Sequence, residues 1–76
     1  MKTYYKNENH STSFDDESGE LLNIFNQNGS LTLTIQSIEE SQREQMVTNL
    51  GINNGASTEA EFNAVLTAAK SKVKSL

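Results

Sequence analysis

Apolar and polar residues alternate on both sides of an Asn-Gly pair within residues 20–37. Asn28-Gly29 between two such runs predicts a type I′ turn, because both residues tolerate the positive φ that this turn needs. The stretch is therefore predicted to form a β-hairpin, and the turn determines which residues face each other. The facing pairs are Gln27 with Ser30, Asn26 with Leu31, Phe25 with Thr32, Ile24 with Leu33, Asn23 with Thr34 and Leu22 with Ile35.

In this register the side chains of the hairpin separate onto two faces, because successive residues of a strand point to opposite sides. The aliphatic face carries Leu22, Ile24, Leu31, Leu33 and Ile35. The second face carries Leu21, Asn23, Phe25, Thr32 and Thr34. A lone hairpin is at best marginal in water, so another part of the chain must cover the aliphatic face.

The segment before the hairpin has two interpretations. Thr12 to Asp16 can form a first strand, with Ser18-Gly19 as the turn into the hairpin. This register places Phe14 opposite Asn23 and on the same face as Phe25. The alternative is a flexible arm over residues 1–11, because chain ends are often poorly ordered.

Two helices are predicted after the hairpin. Ser37 and Glu40 have the spacing of a capping box, which predicts the start of the first helix. That helix is expected to end at Leu50, with Gly51 as a left-handed stop and Ile52 folding back over the last turn.

The second helix is predicted to begin at Ser57 or Thr58, with Glu59 and Glu61 in its first turn. Its apolar residues recur at helical spacing, and they are Phe62, Val65, Leu66, Ala69, Val73 and Leu76. We expect this stripe to cover the aliphatic face. The fold class is therefore α+β, with a two- or three-stranded antiparallel meander followed by an αα-hairpin packed on one sheet face, in a single domain over residues 1–76.

The charge of the chain is unevenly distributed. The net charge is −4, yet residues 8–61 hold all ten carboxylates and a single cation, Arg43. The five lysines lie near the two ends of the sequence. Because a nucleic-acid-binding domain is typically basic, we expect no direct binding of nucleic acid.

Several chemistries lack their required residues. The chain has no cysteine, and its only histidine, His10, lies in a polar segment that we expect to be an exposed loop. Aligning Gly19 with the invariant glycine of an EF-hand places Phe14 at the first ligand position, so that pattern fails. No glycine-rich phosphate loop is present. We expect no enzyme activity, no catalytic residue, no cofactor and no metal site.

The sequence also predicts no contact with membranes. No apolar run is long enough to span a bilayer, and the N-terminal segment lacks the apolar centre of a signal peptide. We expect a cytoplasmic protein, located in the host cytoplasm or the virion if the chain is viral.

Protein contact is the function that the sequence favours. The second face is not obviously covered by two helices, and the strand from Leu31 to Ile35 has a free edge that another chain can join. The candidate partner-binding residues are Phe14, Leu21, Phe25, Thr32 and Thr34. The partner is a protein of unknown identity, and a second copy is one candidate because oligomerisation often completes the thin core of a short chain. We expect an accessory, assembly or inhibitory role.

An acidic surface supports an alternative function. If the first turn and the first helix lie on one side, their carboxylates can imitate the phosphates of a nucleic acid and block a DNA- or RNA-binding partner. The residues concerned are Asp15, Asp16, Glu17, Glu20, Glu39, Glu40 and Glu44. A solvated acidic face that maintains solubility is the other interpretation.

Overall fold

A five-stranded antiparallel sheet and two helices make up the fold. The computed structural model describes the backbone of residues 1–74 and the side chains of residues 1–71. The elements are β1 (Lys2–Lys6), β2 (His10–Asp15), β3 (Glu20–Gln27), β4 (Ser30–Ser37), α1 (Glu40–Asn53), β5 (Gly55–Ala56) and α2 (Glu59–Lys74). The strands lie in the order β4-β3-β2-β1-β5, so four consecutive strands form a meander and β5 returns to pair with β1. The α+β class is confirmed.

The hairpin of β3 and β4 has the predicted register, with every facing pair from Gln27–Ser30 to Leu22–Ile35 confirmed. Asn28 has φ of 54° and Gly29 has φ of 82°, which are the positive values that a type I′ turn requires. The side-chain oxygen of Asn26 accepts the Gly29 N–H at 3.2 Å and supports the turn. Local turn chemistry therefore determines this half of the sheet.

The strand before the hairpin is confirmed, but its register differs from the prediction. Phe14 faces Leu21 instead of Asn23, which faces Thr12. The cause is a longer turn: Gly19 donates its N–H to the Asp15 carbonyl at 2.8 Å, so the turn lies between Asp15 and Glu20. A shift of two residues keeps the side chains on their faces, because the side-chain period of a strand is also two.

The predicted strand count of two or three is wrong, because β1 and β5 were not expected. Part of the segment interpreted as a flexible arm forms β1, in which Tyr5 pairs with Thr12 on one side and with Ala56 on the other. The polar residues between β1 and β2 form the turn: Asn7 Oδ1 accepts the N–H of Asn9 and of His10, both at 2.9 Å. His10 is therefore the first residue of β2, and its expected position in a loop is wrong.

Helix α2 covers the aliphatic face, as predicted. Phe62, Val65, Leu66 and Ala69 pack in one cluster with Ile24. The sheet residues Tyr4, Leu22, Leu31 and Leu33 complete the cluster. Ile35 was expected there too, but it is 65% exposed. Val73 and Leu76 lie outside the described side chains.

The start of α2 is the one that the sequence predicts. The hydroxyl of Thr58 accepts the Glu61 N–H at 3.1 Å, and the Glu61 carboxylate accepts the Thr58 N–H at 3.1 Å. This reciprocal pair is a capping box. Glu59 and Glu61 lie in the first turn, as expected.

Helix α1 differs from the prediction at both ends. Ser37 belongs to β4 and does not cap the helix, which starts at Glu40 without a side-chain cap. Gly51 lies inside the helix, and the backbone N–H of the C-cap residue Asn54 bonds to the Leu50 carbonyl at 3.0 Å. Ile52 is 75% exposed and does not fold back. The capping pattern and the glycine signal at this helix were therefore both misleading.

The two helices lie on opposite faces of the sheet. Whereas α2 packs on the aliphatic face, Leu50 of α1 lines a cavity together with Leu21 and Thr12 of the second face. The predicted αα-hairpin on one face is therefore wrong for the described residues. The reason is β5: its pairing with β1 takes the connector across the edge of the sheet before α2 begins.

Candidate functional site

The second face is largely covered, contrary to the prediction. Phe14 is 0% exposed and Leu21 is 8% exposed, and Leu50 of α1 lines a cavity together with Leu21. Phe25 is half-buried, and its ring lies 4.7 Å from that of His10. Phe14 and Leu21 are thus core residues in this structure, and neither offers an open contact surface.

Thr32 and Thr34 are exposed, and both belong to β4 at the edge of the sheet. The structure thus keeps two of the five candidate contact residues at the surface and leaves a third half-exposed. Among residues 1–74 no strand pairs with the outer side of β4, so the free edge predicted for Leu31–Ile35 is present.

The backbone phase of β4 shows which of its groups face outward. Bonded and non-bonded residue pairs alternate along an antiparallel hairpin, and a two-residue turn makes Gln27–Ser30 the first bonded pair. Just beyond the far end of β4, Ile38 donates its N–H to the Gly19 carbonyl at 2.8 Å, so an even-numbered residue is bonded across the hairpin there too. The even-numbered residues of β4 therefore bond to β3. Leu31, Leu33 and Ile35 turn their N–H and C=O groups away from the sheet, and we name these outward groups the β4 edge.

The β4 edge lies in a stretch of sequence without charged residues, although Glu20 lies beside Ile35. No residue from Leu21 to Ile38 is acidic or basic, although the chain as a whole carries −4. Ile35 is the most exposed aliphatic residue of the strand, and it borders a shallow depression with Ser18, Glu20 and Gln36. Ile35 was predicted both to lie under a helix and to belong to the free edge, and the structure leaves it exposed beside that edge.

The acidic residues are only partly brought together. The β2–β3 turn meets the start of α1, where Asp16, Glu40 and Glu44 surround Arg43 in one depression. Glu39 is exposed just before α1, whereas Glu20 lies beside Ile35. Three of the seven residues, Asp16, Glu40 and Glu44, thus line one depression, and Glu20 lies in another.

Cations lie within this acidic group. The Met1 amine is 2.5 Å from Asp16 Oδ1 and 3.0 Å from Glu17 Oε1. Hydrogen bonds to Asp16 and Glu17 raise the pKa of this amine to about 10. The pKa of Asp15 is lowered, chiefly because its carboxylate accepts the backbone N–H of Glu17. Part of the negative charge is thus balanced within the protein.

A cavity of about 260 Å³ separates α1 from the second face. Its polar side chains bond to each other: Thr12 donates to Asn23 at 2.9 Å, and Asn7 donates to Asn54 at 2.7 Å. Among the described residues that line it, His10 is the only titratable one, and its Nδ1 lies 3.3 Å from the Asn7 side-chain oxygen. The cavity therefore contains no carboxylate that can act as a partner for acid–base chemistry.

Two other functional features are absent from the described residues. Among the side chains of residues 1–71, no group of three or more His, Asp or Glu residues is placed to hold a metal ion. In the same part of the chain, neither helix has the length and apolar character needed to cross a membrane.

Comparison of the chain with protein-family models, with curated proteins and with solved structures gave no match.

Proposed function

We propose that this chain acts through protein–protein contact at the β4 edge rather than by catalysis. The observation that carries the proposal is an eight-residue edge strand whose outward backbone groups have no partner strand among the described residues. An exposed edge of this kind is a template for an extended segment of another chain.

The β4 edge lacks the features that normally protect an edge strand. Proteins block such edges with charged side chains, proline or β-bulges, or cover them with another element. β4 has no charged residue and no proline, and its register with β3 runs without a bulge from Ser30 to Ser37. An edge left open in this way is consistent with use as a contact surface.

Ile35 offers a direct test, because its N–H points outward and its side chain is 65% exposed. Ile35→Pro removes the outward N–H without removing a bond to β3, and edge strands tolerate proline when the N–H side faces solvent. Ile35→Val is the matched control, since it keeps both the N–H and an aliphatic side chain.

The experiment is chemical cross-linking in extracts of the source cells, followed by mass spectrometry, with circular dichroism to verify that each variant is folded. We expect the wild type and Ile35→Val to be cross-linked to the same partner, which is either a second copy of this chain or another protein. Ile35→Pro should lose this cross-link. A folded Ile35→Pro chain that keeps every contact of the wild type would refute the proposal.

The acidic surface supports a second candidate function, a mimic of nucleic acid. The observation that favours it is the meeting of Asp16, Glu40 and Glu44 in one depression. Such a complex would depend on charge, so its affinity should fall steeply with added salt. A contact made by the β4 edge should persist in salt.

Paired variants separate the two functions. Glu40→Gln with Glu44→Gln removes charge from the acidic surface and leaves the β4 edge intact, whereas Ile35→Pro has the opposite effect. Loss of the captured protein in the first variant alone would support the mimic and contradict the edge contact. The cytoplasmic, host or virion location expected from the sequence stays a prediction.

A further inference from the structure

We infer that the occupant of the β4 edge is the β4 edge of a second copy, paired antiparallel about a two-fold axis at Leu33. This inference rests on the proposed function, because it names the partner of the same surface.

The backbone phase restricts the pairing to a few registers. Opposite residues of an antiparallel ladder either exchange two hydrogen bonds or exchange none. An outward residue of one copy must therefore face an outward residue of the other. When Leu33 faces Leu33 of the second copy, Leu31 faces Ile35 in both directions, and about six hydrogen bonds join the two strands.

Side-chain matching selects this register from the alternatives. This register places all three aliphatic residues of β4 opposite aliphatic residues. Sliding one strand by two residues along the other places Ile35 opposite Gly29 in one direction and Leu31 opposite Ser37 in the other. Directly opposed aliphatic and β-branched pairs stabilise a sheet. The exposed Ile35 would then be covered by Leu31 of the second copy.

The other side of the sheet is equally compatible with this register. Thr32 of each copy faces Thr34 of the other, and threonine pairs are favourable across strands. Both threonines are exposed in the single chain. The two candidate contact residues that remain at the surface thus meet each other at the same interface.

Charge favours a second copy at this edge and disfavours it elsewhere. Two copies of a −4 chain repel, yet no charged residue lies between Leu21 and Ile38, so the pairing places no like charges opposite each other. The β2–β3 turn and the start of α1 carry clustered carboxylates. Pairing at the β4 edge avoids placing these carboxylates of two copies against each other.

The oligomeric state is the first measurement. Sedimentation equilibrium of the full chain should show a concentration-dependent dimer of twice the 8.4 kDa chain mass. Ile35→Pro should weaken dimerisation by at least about tenfold, because symmetry removes two hydrogen bonds at once. Ile35→Val should dimerise as the wild type does. A wild type that stays monomeric, or one that forms larger species without a limit, overturns the inference.

Disulfide trapping tests the register. The chain has no cysteine, so Thr32→Cys and Thr34→Cys each introduce a single thiol at an exposed position. In the Leu33-centred register the two thiols face each other across the interface, and a mixture of the variants should form the mixed disulfide in preference to either symmetric one. Predominance of a symmetric disulfide overturns the register, since residue 32 or 34 would then lie on the axis.

The outcomes also separate this inference from the proposed function. If the wild type is monomeric and Ile35→Pro still loses a captured protein, the second copy is wrong and the edge contact stands. If a folded Ile35→Pro chain keeps the dimer and every other contact of the wild type, the second-copy inference and the proposed edge contact are both wrong.

Discussion

Arg43 Nη1 donates a hydrogen bond to the backbone carbonyl of Glu17 at 2.9 Å, which joins α1 to the β2–β3 turn. The same guanidinium donates to the carbonyls of Ser18 at 3.2 Å and Ile38 at 3.0 Å. Helix α1 has no fully buried residue and no side-chain N-cap. This arginine is therefore a main attachment of the helix to the sheet.

Replacing Arg43 should detach the first turn of α1. We expect Arg43→Met to lower the free energy of unfolding by about 1–2 kcal/mol, at the low end for charged hydrogen bonds because two of the three are exposed. Arg43→Lys should recover little of the loss, because an ammonium group cannot reproduce the planar donor geometry of a guanidinium. Amide hydrogen exchange in α1 is the second measurement. The exposed Gln42→Met is the control, and equal protection of α1 in all variants would contradict this role.

Two glycines with the same backbone angle should respond differently to alanine. Gly19 and Gly29 both have φ of 82°, which costs an L-residue about 1–2 kcal/mol. A Cβ at Gly19 would lie 2.3 Å from the Ile38 carbonyl oxygen, whereas a Cβ at Gly29 has nothing within 4 Å. Such overpacking adds about 1–3 kcal/mol.

We therefore expect Gly19→Ala to be the more destabilising change, and to loosen Arg43 as well, whose Nε is 2.7 Å from the added Cβ. Urea unfolding of the two variants gives the comparison directly. A Gly29→Ala chain as unstable as Gly19→Ala would show that the turn at Gly19 is not packed against α1.

Glu61 gives the chain an acid-sensitive contribution to stability. The Lys6 ammonium, and after it the N–H and hydroxyl of Thr58, hold the pKa of Glu61 below its ordinary value of 4.5. A lowered pKa in the folded state stabilises the protein above the ordinary pKa, and this contribution is lost as the pH falls through the folded value. The wild type should therefore have a higher melting temperature than Glu61→Gln at pH 6. The two melting temperatures should converge in acid.

Thermal unfolding from pH 7 to pH 2.5 tests this dependence. Lys6→Met removes the first cause of the shift and should narrow the difference between the Glu and Gln forms at pH 6. A difference in melting temperature that is constant across the whole range would contradict the assignment.

The features that the sequence predicted are those determined by neighbouring residues. Asn28-Gly29 requires one turn type, and the turn then determines the whole β3–β4 register. The stripe from Phe62 to Ala69 requires an apolar surface, and the aliphatic face of the hairpin is the largest one available. In both cases the local sequence pattern is compatible with one arrangement in the fold.

The features that the sequence missed depend on contacts between distant residues. β5 has two residues, too few to show any periodicity, and it forms only because β1 offers an edge. That pairing sends α1 and α2 to opposite faces of the sheet. Phe14 and Leu21 are buried, and Ile35 is exposed. Of the two candidate contact surfaces, the second face is therefore largely covered, whereas the β4 edge stays unpaired among the described residues.

Gly51 shows how one residue permits two local solutions. A glycine after an amphipathic segment often adopts a left-handed conformation and ends the helix. Here α1 continues to Asn53, Gly51 is not among the positive-φ glycines, and a Cβ built on it has nothing within 4 Å. The stop is provided by Asn54, whose side-chain amide and backbone N–H both bond to the Leu50 carbonyl at 3.0 Å.

Gly51→Ala should therefore stabilise the protein by about 0.5–1 kcal/mol, because alanine loses less conformational entropy than glycine in a helix interior. If Gly51 were left-handed, Gly51→Ala would instead destabilise the protein, since alanine in that conformation would cost about 1 kcal/mol or more. Urea unfolding measures the sign, and Gly29→Ala, at a confirmed positive φ, provides the destabilising reference. A stabilised Gly51→Ala chain together with a destabilised Asn54→Ala chain would show that α1 ends at Asn54. A loss of stability in Gly51→Ala would show instead that α1 ends at Leu50, as the sequence predicted.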